Sequence, residues 1–145
     1  MPKRARHAVT PVEPLKTRGL THVALAVRDL DRTAAFYGTL LGAVEIYRGP
    51  GFLQMQTPGT WDVLVFEEHP QKAGRAGGVL HLGFRLQRDD GLARAEAVVH
   101  AAGGTVVETG EFVPGEPYMF AKDPDGYVVE LWYELPTKVD PKRSR

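Results

Sequence analysis

The chain contains no cysteine among its 145 residues. This absence excludes disulfide bonds, thiolate metal ligands and cysteine nucleophiles, so a metal site would have to use nitrogen and oxygen donors. Long apolar runs are also missing, because no segment approaches the roughly 20 apolar residues that span a bilayer. The basic residues 1–7 are followed by no apolar stretch of the kind found in signal peptides. We therefore expect a cytoplasmic protein with no membrane partner.

The chain has no net charge, but its charges are unevenly distributed. Residues 1–18 hold five Lys/Arg and one acidic residue, and residues 134–145 hold four Lys/Arg and two acidic residues. Both segments contain prolines and few large apolar residues, which predicts basic, partly disordered tails. Residues 19–133 carry the excess of acidic side chains, which argues against a nucleic-acid partner. The length fits a single domain over 19–133.

An internal repeat organises this domain. When His22 is placed over His81, both halves contain a strand, a helix that begins after acidic residues and ends at glycine, and three further strands. Module one covers residues 19–68, a Pro- and Gly-containing linker covers 69–78, and module two covers 79–133. The pattern predicts an α+β fold made of two βαβββ modules.

The helix ends are marked by their usual residues. Asp29 or Asp31 is expected to cap the first helix, which ends at Gly42. Asp89 or Asp90 is expected to cap the second, which ends at Gly103-Gly104. The turn that precedes the last strand, Asp123-Pro124-Asp125-Gly126, is expected to direct that strand.

Three ionisable side chains lie within apolar, alternating stretches that predict strands. His22 lies in Thr21–Val27, His81 in Leu80–Leu86, and Glu130 in Tyr127–Trp132. Each residue alone is more often a core histidine or a solvated carboxylate than a ligand. Together, however, two imidazoles and one carboxylate are the ligands of an open divalent-metal site.

Several segments in order resemble the vicinal oxygen chelate superfamily, which includes glyoxalase I, extradiol dioxygenases, fosfomycin-resistance proteins and bleomycin-binding proteins. The matching segments are residues 19–30, Phe36-Tyr37 with Leu40–Gly42, His81, and Asp123–Leu131. The resemblance implies two modules that curl into an incomplete barrel around a divalent metal, with His22, His81 and Glu130 as ligands. It also implies a homodimer, because in small members the ligands of one site often come from both chains.

The subfamilies differ in a fourth ligand. Proteins of the glyoxalase type place Glu or Gln in the last strand of the first module, where this chain has Val65. Glu67 has the same strand parity and is a possible fourth ligand. Without such a ligand, proton-transfer isomerisation lacks its base. Fosfomycin-resistance proteins carry a hydroxylic residue where this chain has Ala24.

Extradiol dioxygenases use the same three ligands with Fe²⁺ or Mn²⁺. Their motif has a tyrosine where this chain has Phe120, and Tyr118 lies two residues earlier, so Tyr118 is the candidate catalytic residue. Arg85 shares the His81 face and is a candidate for binding a substrate carboxylate, although pairing with an acidic side chain is an equal alternative. The remaining candidates for substrate binding are apolar: Phe120, Trp132, Phe52 and Met55. For the last three, ordinary core packing is the favoured alternative.

The sequence therefore predicts a metal-dependent enzyme acting on a small oxygenated substrate. Dioxygenase-like chemistry with Fe²⁺ or Mn²⁺ is favoured, and glyoxalase-like Lewis-acid chemistry with Zn²⁺, Ni²⁺ or Co²⁺ is the related possibility. The alternative is a non-catalytic, drug-binding protein of the bleomycin-binding type. Members of that branch have typically lost the metal ligands, whereas His22, His81 and Glu130 are present here.

Overall fold

A computed structural model describes residues 13–142 of the chain. Residues 1–12 of the predicted N-terminal tail lie outside these described residues. Within residues 13–142, neither α-helix has the length and apolar character needed to cross a membrane. The elements are β1 (His22–Val27), α1 (Leu30–Leu41), β2 (Val44–Gly49), β3 (Phe52–Gln56), β4 (Val63–Glu68), β5 (Leu82–Arg85), α2 (Leu92–Ala101), β6 (Thr105–Glu111), β7 (Pro117–Lys122) and β8 (Val128–Trp132).

The first helix begins and ends as the sequence predicts, and the second begins differently. The Asp29 side chain accepts a hydrogen bond from the Arg32 amide, and Gly42 ends α1 with a φ of 68°. Before α2, Asp89–Gly91 form a 3₁₀ turn, and no side chain caps the α-helix that follows. The prediction of an aspartate cap on α2 was wrong, because both aspartates belong to this preceding turn.

The strands form two four-stranded sheets, ordered β1-β4-β3-β2 and β5-β8-β7-β6. In each sheet the first strand of the module runs parallel to the last, and the other pairs are antiparallel. Each module is therefore βαβββ, and the predicted α+β fold is confirmed. The two sheets do not close into a barrel. β1 and β5 are edge strands, so each leaves one row of backbone groups unpaired by its own sheet.

A single apolar core joins the modules. The helices contact each other, and the inward faces of both sheets pack against them. Strand alternation explains the composition of these faces, since every second residue of the central strands points to the helices. The core includes Phe36 and Tyr37 of α1, Leu53, Met55, Leu64 and Phe66 of module one, and Val99, Met119, Ala121, Val129 and Leu131 of module two.

Side chains of the turn before β8 bind module one. The buried Asp123 carboxylate accepts a hydrogen bond of 2.9 Å from the Tyr37 hydroxyl. Its other oxygen accepts the Asp125 and Tyr127 amides. Burial raises the pKa of Asp123, and these hydrogen bonds oppose that rise. Burial, together with the neighbouring Asp123 charge, also raises the pKa of Tyr37. This turn is thus a joint between modules.

A second set of contacts strengthens the same joint. Arg28 donates to Oδ1 of Asp125 from its backbone amide at 3.1 Å and from its guanidinium at 3.0 Å. The Tyr127 hydroxyl donates to the Ala26 carbonyl at 2.8 Å. In the linker, Gly74 has a φ of 78°, and a Cβ placed there would lie 2.4 Å from the Asp125 carbonyl oxygen. Only glycine fits that approach.

Candidate functional site

His81 and Glu130 lie together on the face of module two that points away from the helices. His81 directly precedes β5, and Glu130 in β8 is the register partner of Gly83. Because residues two apart share a strand face, both side chains project to the same side. The His81 Nε2 atom lies 3.0 Å from Oε2 of Glu130, and the two side chains are 38% and 10% exposed. The structure thus places two of the three predicted ligands in contact.

The chemistry of this pair suits a divalent metal. Two ligand atoms bound at right angles to one ion, each at about 2.1 Å, are about 3 Å apart, which matches the distance between the two side chains. A mostly buried carboxylate also needs compensation by a cation or a metal. Among the described residues, His81 supplies the only Lys, Arg or His nitrogen within 4.0 Å of Glu130.

His22, the third predicted ligand, stands apart from this pair. It is the exposed first residue of β1, and with His81 it lines a cleft of about 520 Å³ between the edge strands β1 and β5. In residues 13–142, no three His, Cys, Asp or Glu side chains converge on one point that would hold a metal. One chain therefore presents an imidazole–carboxylate pair in module two and a separate imidazole in module one.

The place equivalent to Glu130 in module one is occupied by Val65. Ala24, two residues after His22, pairs with Val65, just as Gly83, two residues after His81, pairs with Glu130. Val65 is buried and cannot bind a metal. Glu67, two residues after Val65, pairs with Ala26 and is exposed near the end of β4. Module one thus offers His22 and the exposed Glu67 as candidate ligands, and it has no counterpart of Glu130.

An aromatic ladder lines the module-two face beside His81. The Phe120 ring lies 5.1 Å from the His81 imidazole, and the Tyr118 ring lies 5.4 Å from Phe120. Phe112, which the sequence analysis did not single out, stacks on Tyr118 at 4.2 Å. The Tyr118 hydroxyl donates to Glu108 at 2.6 Å, and this bond raises the pKa of Tyr118. Tyr118 is therefore held as a neutral phenol.

The other predicted apolar site residues divide between two faces. Trp132 covers Gly83, where an added Cβ would lie 2.7 Å from its ring. Phe52 lies on the outer face of β3 and contacts Tyr47 with ring centroids 5.8 Å apart. Met55 does not line this face. It is 2% exposed in the core, because its odd spacing from Phe52 turns it to the helix side of β3.

Arg85 lines the cleft with both histidines, but acidic side chains hold its guanidinium. Its two terminal nitrogens donate to the two carboxylate oxygens of Asp140 at 3.2 and 3.1 Å. One of them also contacts the Glu134 carboxylate at 3.4 Å. Of the two readings of Arg85, the structure shows the acid pairing. The partners were missed because they lie about fifty residues away in the predicted tail.

Comparisons with known proteins agree with this architecture. A family model described as "Glyoxalase/Bleomycin resistance protein/Dioxygenase superfamily" matches residues 19–131. Uncharacterized protein PA2024 of Pseudomonas aeruginosa is 36% identical over 129 residues, which span 81% of this chain and 89% of that protein.

Solved structures share the fold. A glyoxylase/bleomycin resistance protein/dioxygenase domain from Frankia sp. EAN1pec superposes with a TM-score of 0.68 at 26% identity, covering 83% of this chain and 100% of that one. Lactoylglutathione lyase from Agrobacterium tumefaciens gives a TM-score of 0.63 at 21% identity, covering 81% and 94%. With the family model matched over residues 19–131, this chain belongs to the glyoxalase, bleomycin resistance protein and dioxygenase superfamily.

Proposed function

We propose that the protein is a metal-dependent enzyme acting on a small oxygenated substrate, and that His81 and Glu130 of one chain hold the metal together with His22 of a second copy. The observation that carries this proposal is the contact between His81 and the mostly buried Glu130. Drug binding without metal does not require an imidazole beside a mostly buried carboxylate. The separation of His22 from the pair supports a site shared between two chains.

Exposed apolar side chains support the homodimer. On strands β2 and β6, at the outer edges of the two sheets, Ile46, Tyr47 and Val107 are 48%, 57% and 54% exposed. Neither sheet has a covering layer on its outer face among the described residues, because both helices pack on the inner faces. A second copy that brings the module-one face of one chain against the module-two face of the other would bury these residues and create two equivalent sites.

The residues present favour dioxygenase-like chemistry over proton-transfer isomerisation. His22, His81 and Glu130 would hold Fe²⁺ or Mn²⁺, and the ion would supply redox and Lewis-acid chemistry. Val65 supplies no base at the fourth position. In this arrangement Phe120 presents an apolar ring to the substrate, and the Tyr118 hydroxyl donates to the substrate once its hydrogen bond to Glu108 is broken. Both oxygen atoms of O₂ enter the ring-opened product, so the reaction needs no external reductant.

Metal analysis tests the ligand set. The protein is purified anaerobically, reconstituted with Fe²⁺ or Mn²⁺, and its bound metal is measured for wild type and for His22→Ala, His81→Ala and Glu130→Ala. Each substitution should abolish stoichiometric binding. His100→Ala is the matched control, because His100 also faces a glutamate, Glu96 at 3.7 Å, but on the exposed side of α2. It should bind metal normally.

Mixing two variants tests the shared site. If His22 comes from one chain and His81 from the other, a dimer of His22→Ala and His81→Ala chains contains one intact site. After unfolding and refolding the two variants together, about a quarter of the wild-type metal should return, since about half of the dimers are mixed and half of their sites are intact. No recovery would contradict the two-chain site.

Oxygen uptake with catechols then tests the reaction. Metal binding without oxygen consumption would argue for Lewis-acid chemistry with Zn²⁺, Ni²⁺ or Co²⁺. If the reconstituted wild-type protein binds no metal at all, the enzyme proposal is wrong. The exposed ladder of Phe112, Tyr118 and Phe120 would then be the surface to test for binding of aromatic drugs.

A further inference from the structure

The Asp140 carboxylate binds the Arg85 guanidinium in the way that the carboxylate of a ligand would. Both oxygens of its carboxylate accept from the two terminal nitrogens of Arg85, at 3.2 and 3.1 Å. This two-point geometry is the arrangement by which arginine recognises free carboxylates. The partner residues are 55 positions apart in sequence, so the contact folds the C-terminal segment 134–142 back onto module two.

The position of this contact connects it to the cleft. Arg85 is the cation that lines the cleft together with His22 and His81. It follows His81 on the same side of β5, and its register partner on β8 is Trp132. A ligand with oxygens near His81 and a carboxylate further along the strand would therefore meet Arg85 and the indole of Trp132. Asp140 now fills the carboxylate position.

The C-terminal segment is built around this one contact. Its acidic residues, Glu134 and Asp140, both bind Arg85. Thr137 donates to Asp140 from its amide and its hydroxyl, each at 2.9 Å, which holds the carboxylate in place. Apart from Arg85, the segment is held by a hydrogen bond of 3.2 Å from the Leu135 amide to the Glu116 carboxylate, and Val139 is 91% exposed. A segment anchored chiefly through one exposed ion pair is easily displaced.

We propose that the cleft takes an anionic substrate whose carboxylate binds Arg85, and that Asp140 is an internal competitor which the substrate displaces. As a statement about substrate class this rests on the proposed function, whereas competition between Asp140 and an anion for Arg85 does not depend on a metal. Aromatic carboxylates suit the neighbouring Trp132 ring. Asp140 then competes for Arg85 only with ligands that carry a negative charge, and neutral molecules are unaffected.

The test uses the full-length protein with benzoate as the probe and benzamide as its neutral counterpart. Binding is followed by NMR through the side-chain signals of Arg85 and Trp132, in EDTA-treated protein. Asp140→Asn should bind benzoate about two- to fivefold more tightly than wild type, since an exposed ion pair competes to about that extent. Benzamide binding should not change between the two proteins.

Two further variants test whether the effect depends on Asp140 and Arg85 in particular. Asp31→Asn removes a carboxylate from another exposed arginine, Arg48, at 3.0 Å in module one, and it should leave benzoate binding at the wild-type value. Arg85→Gln combined with Asp140→Asn should lose the gained affinity. Equal benzoate affinity in wild type and Asp140→Asn would overturn the competitor role, and retained affinity in the double variant would overturn Arg85 as the receptor.

The metal experiments and the benzoate experiments can fail independently of each other. If the metal experiments contradict the proposed metal site, the benzoate titration is unaffected, because EDTA-treated protein is used throughout. Conversely, if benzoate binds Asp140→Asn no more tightly than wild type, the proposal that His81 and Glu130 bind a metal is unaffected. With metal restored, oxygen uptake on 3,4-dihydroxybenzoate against catechol gives a second readout. Asp140→Asn should lower KM for the carboxylate substrate only.

Discussion

Val65 and Glu130 occupy the same position in the two modules, each on the last strand of its module and opposite the residue two places after a histidine. The pairing shows that the internal repeat extends to single residues and that the modules differ at one of their candidate ligand positions. The asymmetry gives one module an imidazole and the other an imidazole with a carboxylate. Two unequal halves thus provide the three donors of the proposed metal site, and such a set would leave coordination positions open on a metal.

Val65→Glu should turn the valine position into a fourth ligand. Without metal, the new carboxylate is buried where Val65 is 4% exposed, so the free energy of unfolding should fall by about 2 kcal/mol. Added Mn²⁺ or Zn²⁺ should restore the stability and bind more tightly than in wild type, as measured by thermal unfolding with and without metal. Val65→Leu keeps the position apolar and should show no metal-dependent gain. Equal metal effects on both variants would place Val65 away from the metal.

Tyr37→Phe should destabilise the protein in a pH-dependent way. The Tyr37 hydroxyl stabilises the ionised form of Asp123, so its contribution is complete above the folded-state pKa of Asp123 and is lost as the pH falls through it. We expect a loss of about 1–2 kcal/mol at pH 7.5 and a smaller loss at pH 4.5, measured by urea unfolding.

Tyr127→Phe is the control for this measurement. It removes a hydroxyl that donates to the Ala26 carbonyl, which does not titrate. Its effect on the free energy of unfolding should therefore be nearly the same at both pH values. A Tyr37→Phe loss that is equally independent of pH would mean that Asp123 does not change its ionisation state in the folded protein between pH 4.5 and 7.5.

Gly74→Ala should be far more damaging than Gly77→Ala, although both glycines lie in the linker with positive φ. An alanine at 77 meets nothing within 4 Å and should cost about 1 kcal/mol for its left-handed conformation. At 74 the added Cβ also collides with the Asp125 carbonyl, so the loss should exceed about 3 kcal/mol. Chemical unfolding of both variants measures the difference, and equal losses would mean that the linker moves away freely.

Much of this fold follows from local patterns. The three strands around His22, His81 and Glu130 and the bounds of the first helix were predicted to within about two residues, because apolar alternation and the Asp29 and Gly42 caps depend on neighbouring residues. His81 was placed inside the fifth strand, and it directly precedes β5 instead. The family resemblance was also confirmed. The metal-ligand set stays a prediction.

The contacts that join distant parts of the chain were not predicted. Arg28 binds Asp125 across 97 positions, and Arg85 binds Asp140 across 55. Neither pair has a periodicity or a motif, because the partner of an exposed arginine is fixed only when the modules pack. Phe112 was missed for the same reason, since it joins the aromatic ladder from a strand end. Met55 was misassigned because the sequence did not reveal which face of β3 is covered.

The turn before β8 has a further effect on how the protein tolerates mutation. Glu130 lies five positions after Asp125, which Arg28 binds. A substitution that weakens this ion pair should shift the start of β8 and thereby move the Glu130 carboxylate beside His81. Loss of metal affinity should then precede loss of folding among variants of this turn. Selection for a well-placed ligand and selection for stability act here on the same few residues.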